Sequence, residues 1–236
     1  MFVSISRNCN SSFNNKNRFL FCYSDEILKL FSSQKPTKLL CVASGSDEKP
    51  IKSKSRKYLI FIGRIDEDKS PHYAILAADR LNLPIYILGE DVKRLGYSEK
   101  YKDILNMPHV HMSGVVSGCE KMKFISEACC GIYTIGSKYI EPAAGTIAEI
   151  LKSGVPIAGI SWKGDDAICE PIRIDGNLGC IAQCNDSDAE DCVIDKLTAA
   201  IKFSIKLNRD YIYEKGNEIY NSTELVKRMY LRVYNI

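Results

Sequence analysis

Three short stretches hold residue types suited to anions and hydroxyl groups. The first is Gly63-Arg64-Ile65-Asp66-Glu67-Asp68-Lys69. Glycine lets a ligand approach the backbone closely. Arg64 adds a planar fork of donors and Lys69 a point charge, a pair that suits a diphosphate. The competing reading is a surface salt bridge to Asp66 or Asp68. The second stretch is Glu141-Pro142-Ala143-Ala144-Gly145-Thr146-Ile147-Ala148-Glu149. Glu141 precedes proline, so it is extended and lies in a loop from which it can reach sugar hydroxyls. Ala143, Ala144 and Gly145, followed by Thr146, leave a helix N-terminus open to an anion. Glu149 falls on that helix, where a carboxylate can accept two hydrogen bonds from ribose hydroxyls. The plainer reading is a helix with one acidic residue and a separate exposed glutamate. The third stretch, Asp175-Gly176-Asn177-Leu178-Gly179 after Glu170, reads on its own as a turn. Ser113-Gly114-Val115-Val116 and Gly136-Ser137 are places where a base could lodge.

These stretches fall at the ends of regular elements. Tyr58 to Ile62 is a continuous apolar run, as expected of a strand buried on both faces. The pattern predicts helices over 70–81, 98–105, 120–128 and 144–152. Strands are predicted over 85–88, 109–112, 131–135, 156–160 and 180–182. Gly154 stops the fourth of these helices. Alternation at this spacing predicts an α/β fold with a mostly parallel, doubly wound sheet. Such sheets bind ligands beyond the carboxyl ends of their strands. Two helices, over 188–206 and 209–233, close the chain. Before residue 58 the reading gives a polar loop over 1–18, a strand over 19–23 and a helix from Ser24 to Ser32. A strand over 38–43, a turn at Ser44-Gly45-Ser46-Asp47 and a charged linker over 46–57 follow.

Composition removes several classes. No run approaches the ~20 apolar residues of a membrane span, and the start has no apolar core with a cleavage site. The chain is read as cytoplasmic. Residues 1–57 carry eleven Lys or Arg against four Asp or Glu, although the whole chain is only +3. That segment suits an anionic lipid surface, a nucleic acid or an acidic partner, or is a solvated lysine-rich connection. No nucleic-acid partner is expected, and membrane association through this segment stays open. The ten cysteines form no Cys-x-x-Cys pair and no zinc-finger spacing. Cys22, Cys41, Cys129, Cys130 and Cys180 read as reduced core residues, although Cys180 could bridge to Cys184 or Cys192. His72, His109 and His111 read as packing or surface residues. A nicotinamide oxidoreductase is disfavoured, because the first strand lacks Gly-x-Gly-x-x-Gly.

Taken in order, Gly63-Arg64…Lys69, Gly114-Val115-Val116-Ser117, the pair Glu141/Glu149, Gly154-Val155-Pro156-Ile157 and Asp175-Gly176-x-x-Gly179 resemble the C-terminal domain of retaining GT-B-fold glycosyltransferases of the glycogen-synthase/sucrose-synthase-like group. The resemblance spans about residues 20–236. It implies that Arg64 and Lys69 bind the donor diphosphate, that Glu141 lies beside the donor sugar, and that Glu149 holds the ribose. The implied donor site comprises Gly63, Arg64, Lys69, Val115, Ser137, Glu141, Ala144, Gly145, Thr146 and Glu149. The implied catalytic residues are Glu141, Arg64 and Lys69, with no metal and no cofactor. The family usually has glycine three residues after the first glutamate. Here that residue is Ala144, and Gly145 is displaced by one.

The resemblance further implies three parts. Residues 1–57 are a remnant of the acceptor-side domain plus linker, 58–208 are the nucleotide-sugar-binding Rossmann-like domain, and 209–236 are a crossover helix. The implied activity is sugar transfer with retention from a UDP-, GDP- or ADP-sugar to a glycan, lipid or small-molecule acceptor. The acceptor site would come from a partner subunit, from a dimer mate or from the shortened N-terminal segment. The alternative is a non-catalytic nucleotide-sugar-binding or regulatory module.

Overall fold

The computed structural model describes residues 2–4, 19–22, 28–29, 32–34, 37–38, 49–93, 96–141, 144–164, 166–221, 223–224, 227 and 231. A small parallel sheet joins β1 (Phe2–Ser4), β2 (Phe19–Cys22) and β3 (Thr37–Lys38) in that order. β1 departs from the expected loop: Phe2 and Val3 are strand formers that their polar neighbours mask in the sequence. Most of the helix expected from Ser24, the strand beyond Lys38, the turn at 44–47 and Cys41 lie outside the described residues.

The main sheet has six parallel strands: β4 (Tyr58–Ile62), β5 (Ile85–Leu88), β6 (Val110–Gly114), β7 (Ala128–Tyr133), β8 (Ile157–Ser161) and β9 (Gly179–Gln183). Their order across the sheet is β6-β5-β4-β7-β8-β9, so chain order reverses beside β4. The α/β, doubly wound expectation therefore holds. Among the described residues the helices of four or more residues are α1 (Pro71–Arg80), α2 (Tyr97–Lys100), α3 (Lys102–Leu105), α4 (Gly118–Glu127), α5 (Gly145–Lys152), α6 (Glu170–Ile174), α7 (Glu190–Ser204) and α8 (Arg209–Ile219). The closing helix expected to 233 is described continuously only through α8.

Strand alternation sorts the core into two layers. Leu59 and Phe61 of β4 join Ala74, Ala77, Ile85, Ile87 and Leu197, under α1 and α7. Tyr58 and Ile60 face the other way, onto Met122, Ile125, Ile147, Ile150 and Ile212 from α4, α5 and α8. Glycines bring the layers close. A Cβ on Gly131 would sit 2.8 Å from Ile150, and one on Gly159 would sit 2.5 Å from Ile168. Among the described residues seven cysteines are free, and Cys129, Cys130, Cys169 and Cys184 are buried, as expected of small hydrophobes.

The helix expected over 98–105 is two short turns broken at Tyr101. Tyr97 and Tyr101 both turn inward around His72: the Tyr101 ring stacks on the imidazole with centroids 4.2 Å apart. The Tyr97 hydroxyl accepts from the His72 amide at 3.1 Å and lies 2.7 Å from Nδ1. The hydroxyl proton is free to point at Nδ1, an arrangement that puts the ring proton on Nε2, 3.5 Å from the exposed Glu190 carboxylate. Burial, reinforced by the Lys100 ammonium, pushes the His72 pKa down to about 3.

His72 is thus neutral in the folded protein, and unfolding exposes a base of ordinary pKa, about 6.5. Its contribution to stability is complete above that pH and is lost as pH falls toward 3, because only the unfolded chain takes up the proton. We expect His72→Gln to flatten the fall in melting temperature between about pH 6.5 and 4. Parallel melting curves against pH for the two proteins would contradict this.

Candidate functional site

β4 and β7 are neighbours, but the chain leaves them over opposite faces, toward α1 and toward α5. A crevice opens at such a point, beyond the carboxyl ends of the strands. The loop after β4 is held there by its own hydrogen bonds. Buried Asp66 accepts from the Lys69 amide at 3.0 Å. Ser70 adopts a left-handed conformation, φ 44°, unusual for a residue with a side chain. Its amide donates to the Asp66 carbonyl at 2.8 Å and its hydroxyl to the Glu67 carbonyl at 2.6 Å.

The loop after β7 clamps the first loop from the other side. The Thr134 hydroxyl lies 2.6 Å from the Lys69 carbonyl and 3.0 Å from that of Ser70. The Gly136 amide donates to the Asp68 carbonyl at 3.0 Å. A Cβ on Gly136 would sit 2.4 Å from the Glu67 carbonyl, so only glycine allows this approach.

Between the clamped loops, Lys69 and Glu141 form an ion pair. The lysine side chain is 14% exposed and the glutamate 3%. The Tyr133 hydroxyl bridges them, accepting from Lys69 Nζ at 2.9 Å and donating to Glu141 Oε2 at 2.6 Å. Burial and the adjacent carboxylate push the Tyr133 phenol well above its ordinary pKa, which keeps it a donor. Lys69 Nζ also lies 4.9 Å and 5.0 Å from the ring centroids of Tyr133 and Tyr139, within cation–π range. Burial, with Glu141 nearby, pushes Tyr139 up to about 12.

The start of α5 closes the crevice. Ala144 precedes it without a side-chain cap, and a Cβ on Gly145 would meet nothing within 4 Å. The first turn of α5 thus presents amides beside open space, which favours an anion. Further along α5, Glu149 is 5% exposed and pairs through Oε1 with Lys121 of α4 at 2.8 Å. Its other oxygen, Oε2, is buried without a hydrogen-bond partner.

Residues 27–199 match the family described as glycosyl transferases group 1. The chain belongs to that family. Solved glycosyltransferases share its fold. Anabaena HepE, in complex with UDP and glucose, superposes with a TM-score of 0.71 at 10% identity, over 92% of this chain and 63% of that one. The pneumococcal O-GlcNAc transferase GtfA, in complex with UDP and GlcNAc, gives 0.66 at 16% identity, over 92% and 45%. A glycosyltransferase involved in avilamycin A biosynthesis gives 0.57 at 17% identity, over 86% and 62%. The chain thus spans about half to three-fifths of their lengths. No curated protein sequence matches it. The sheet is accordingly a Rossmann-like sheet of the GT-B type.

For this group 1 glycosyltransferase chain, the structure brings Gly63, Lys69, Glu141, Ala144 and Gly145 to the β4–β7 crevice. Gly63 packs there: a Cβ on it would touch Phe61 at 3.3 Å and Lys69 at 3.7 Å. Arg64 is 47% exposed and spans Asp66 at 3.2 Å and Asp68 at 3.1 Å. The competing surface salt bridge is therefore real, and the guanidinium sits on the outer rim. Val115 is 77% exposed after β6, Ser137 is half-buried after β7, and Thr146 is half-buried in the first turn of α5. Pro142 and Ala143 lie outside the described residues.

Asp175 serves its turn, accepting from the Asn177 amide at 2.9 Å, while Glu170 pairs with Arg173 at 2.8 Å. His109 contacts the Ile75 carbonyl at 3.2 Å and His111 stacks on Tyr86, so the histidines pack as expected. Among the described residues no three His, Cys, Asp or Glu side chains group as metal ligands would, and no helix is long and apolar enough to cross a membrane. Sequence reasoning did not find Tyr133, Thr134 or Lys121. The signal was weak: Tyr133 and Thr134 end a strand, and Lys121 is one lysine in the polar run Glu120-Lys121-Met122-Lys123.

Thr134 should hold the loops together. Thr134→Val removes the donor to the Lys69 carbonyl, while the Ser70 carbonyl keeps the Tyr73 amide, and should lower unfolding free energy by about 1–3 kcal/mol in urea titration. Gly136→Ala should cost at least as much, because the added methyl meets backbone. Wild-type stability in both variants would contradict the clamp.

Proposed function

We propose that the chain binds a nucleoside-diphosphate sugar in the β4–β7 crevice and serves sugar transfer with retention of configuration. The observation that carries this reading is the meeting of Lys69, Glu141 and the uncapped start of α5 at the point where strand order reverses. The HepE and GtfA structures, each solved with UDP and a sugar, support it by fold. In this reading the diphosphate lies between Gly63 and the first amides of α5, and Arg64 releases its aspartates to reach it. Lys69 turns from Glu141 to the diphosphate, where its charge offsets the negative charge that grows on the leaving group. These groups supply that stabilisation without a metal.

Glu141, released from Lys69 and steadied by Tyr133, accepts hydrogen bonds from hydroxyls of the donor sugar. Glu149 Oε2 is buried without a donor, which costs free energy; in this reading donor binding uncovers it and ribose hydroxyls supply the missing hydrogen bond. The base lies toward Val115 and Ser137. In the retaining, glycogen-synthase/sucrose-synthase-like reading, residues 58–208 form the donor domain, and the acceptor meets it from a second domain, subunit or partner. Lys69's engagement with Glu141 favours the second reading, a binding module without turnover, if the donor cannot separate the pair.

Calorimetric titration of UDP-, GDP- and ADP-sugars into wild type, Lys69→Ala and Glu149→Ala tests the site. Each substitution should weaken binding of the preferred donor by roughly tenfold or more, as expected for loss of a charge-assisted contact. Unchanged affinity in both variants rejects the assignment. Slow donor hydrolysis by the purified chain, with the released sugar first appearing as the donor's anomer by NMR, separates retaining transfer from a binding module.

A further inference from the structure

A second polar cavity lies at the opposite end of the main sheet, where the chain enters β4 and β8. The segment leading into β4 reads Lys52-Ser53-Lys54-Ser55-Arg56, and it is irregular rather than helical. Burial alternates along it: Lys52, Lys54 and Arg56 are exposed, whereas Ser53 and Ser55 are half-buried. Three contacts fasten the segment to the corner between α7 and α8. Lys52 pairs with Asp210 at 2.8 Å, Arg56 donates to the Ile205 carbonyl at 3.2 Å, and Arg209 donates to the Ser55 carbonyl at 2.5 Å. They enclose a cavity of about 550 Å³ lined by Lys52, Lys54, Arg56, Lys206, Arg209 and Asp210.

The charges in this cavity do not balance. Among the lining residues five cations face one carboxylate; Lys52 pairs with it, and Glu214 outside the lining also acts on Lys52. Buried Arg209 gives its donors to carbonyls, those of Gly154 at 3.0 Å, Ser126 at 2.8 Å and Ala128 at 3.1 Å among them. Those bonds satisfy the donors without cancelling the charge. Lys54 and Lys206 are exposed and make no ion pair among the described residues. Holding like charges together at the wall of a cavity is unfavourable unless an anion enters.

We propose that this cavity is a second anion site, which binds a phosphate-bearing group independently of the β4–β7 crevice. Guanidinium and ammonium groups together suit a phosphate, with the guanidinium giving directed bonds and the ammoniums charge. The phosphate can belong to a free metabolite or to a lipid headgroup, and two experimental arms separate these sources.

In the first arm, inorganic pyrophosphate is titrated calorimetrically into the full chain at low salt. Wild type is compared with Lys54→Glu/Lys206→Glu and with Lys69→Ala. Both lysines are exposed, and thermal melts check the fold of the double variant. If the double reversal unfolds, Lys54→Gln/Lys206→Gln replaces it. A binding event that survives Lys69→Ala, weakens with added salt, and weakens roughly tenfold or more in the double variant is the expected result.

In the second arm, the chain is sedimented with vesicles of phosphatidylglycerol and phosphatidylcholine, or of phosphatidylcholine alone. Pelleting only with the anionic vesicles, lost in the double variant, assigns the phosphate to a lipid. Pyrophosphate binding without pelleting assigns it to a soluble ligand. Pyrophosphate affinity and pelleting both indifferent to the lysine substitutions would overturn the proposal.

Discussion

The reversal of strand order beside β4 is the constraint on which the rest depends. Two adjacent parallel strands must send their chains over opposite faces, and the gap they leave cannot be filled by either connection. The loops after β4 and β7 border that gap and carry the polar residues. Their shape is fixed by contacts between them: Thr134 beneath the Lys69–Ser70 turn, Gly136 against Glu67, and Ser70 in a left-handed conformation. The crevice is therefore largely built before a ligand arrives.

Within it, the strongest charges already answer one another. Lys69 and Glu141 are paired and nearly buried, with the Tyr133 hydroxyl between them. A buried pair keeps both charges solvated by protein, and removing one partner leaves the other at high cost. A diphosphate can displace Glu141 only by offering Lys69 a better counter-charge, and the freed carboxylate must then find hydroxyls. A ligand with phosphates at one end and a sugar at the other meets both demands. Glu149 shows the same logic on α5, with one oxygen held by Lys121 and the other unanswered.

The sequence made the frame legible because strands buried on both faces are continuous apolar runs, and Tyr58–Ile62 and Ile157–Ser161 fall where such runs do. It was less legible where one residue type serves two elements. The apolar Ala128-Cys129-Cys130 could end α4 or begin β7, and it begins β7. The break at Tyr101 has no local breaker, since it follows from two tyrosines turning toward His72. Of the candidate site residues, Gly63, Lys69 and Glu141 do meet at the crevice, and Glu149 lies further along α5. Tyr133 and Lys121 were not legible, because their meaning comes from partners 64 and 28 residues away. Arg64 was ambiguous between ligand and salt bridge, and both aspartates do hold it.

A crystal structure of the chain soaked with the preferred nucleoside diphosphate tests the central claim most directly. The account predicts pyrophosphate density between Gly63 and the first turn of α5, with Lys69 Nζ moved from Glu141 onto a phosphate oxygen. A diphosphate bound elsewhere, with the Lys69–Glu141 pair intact, would contradict it.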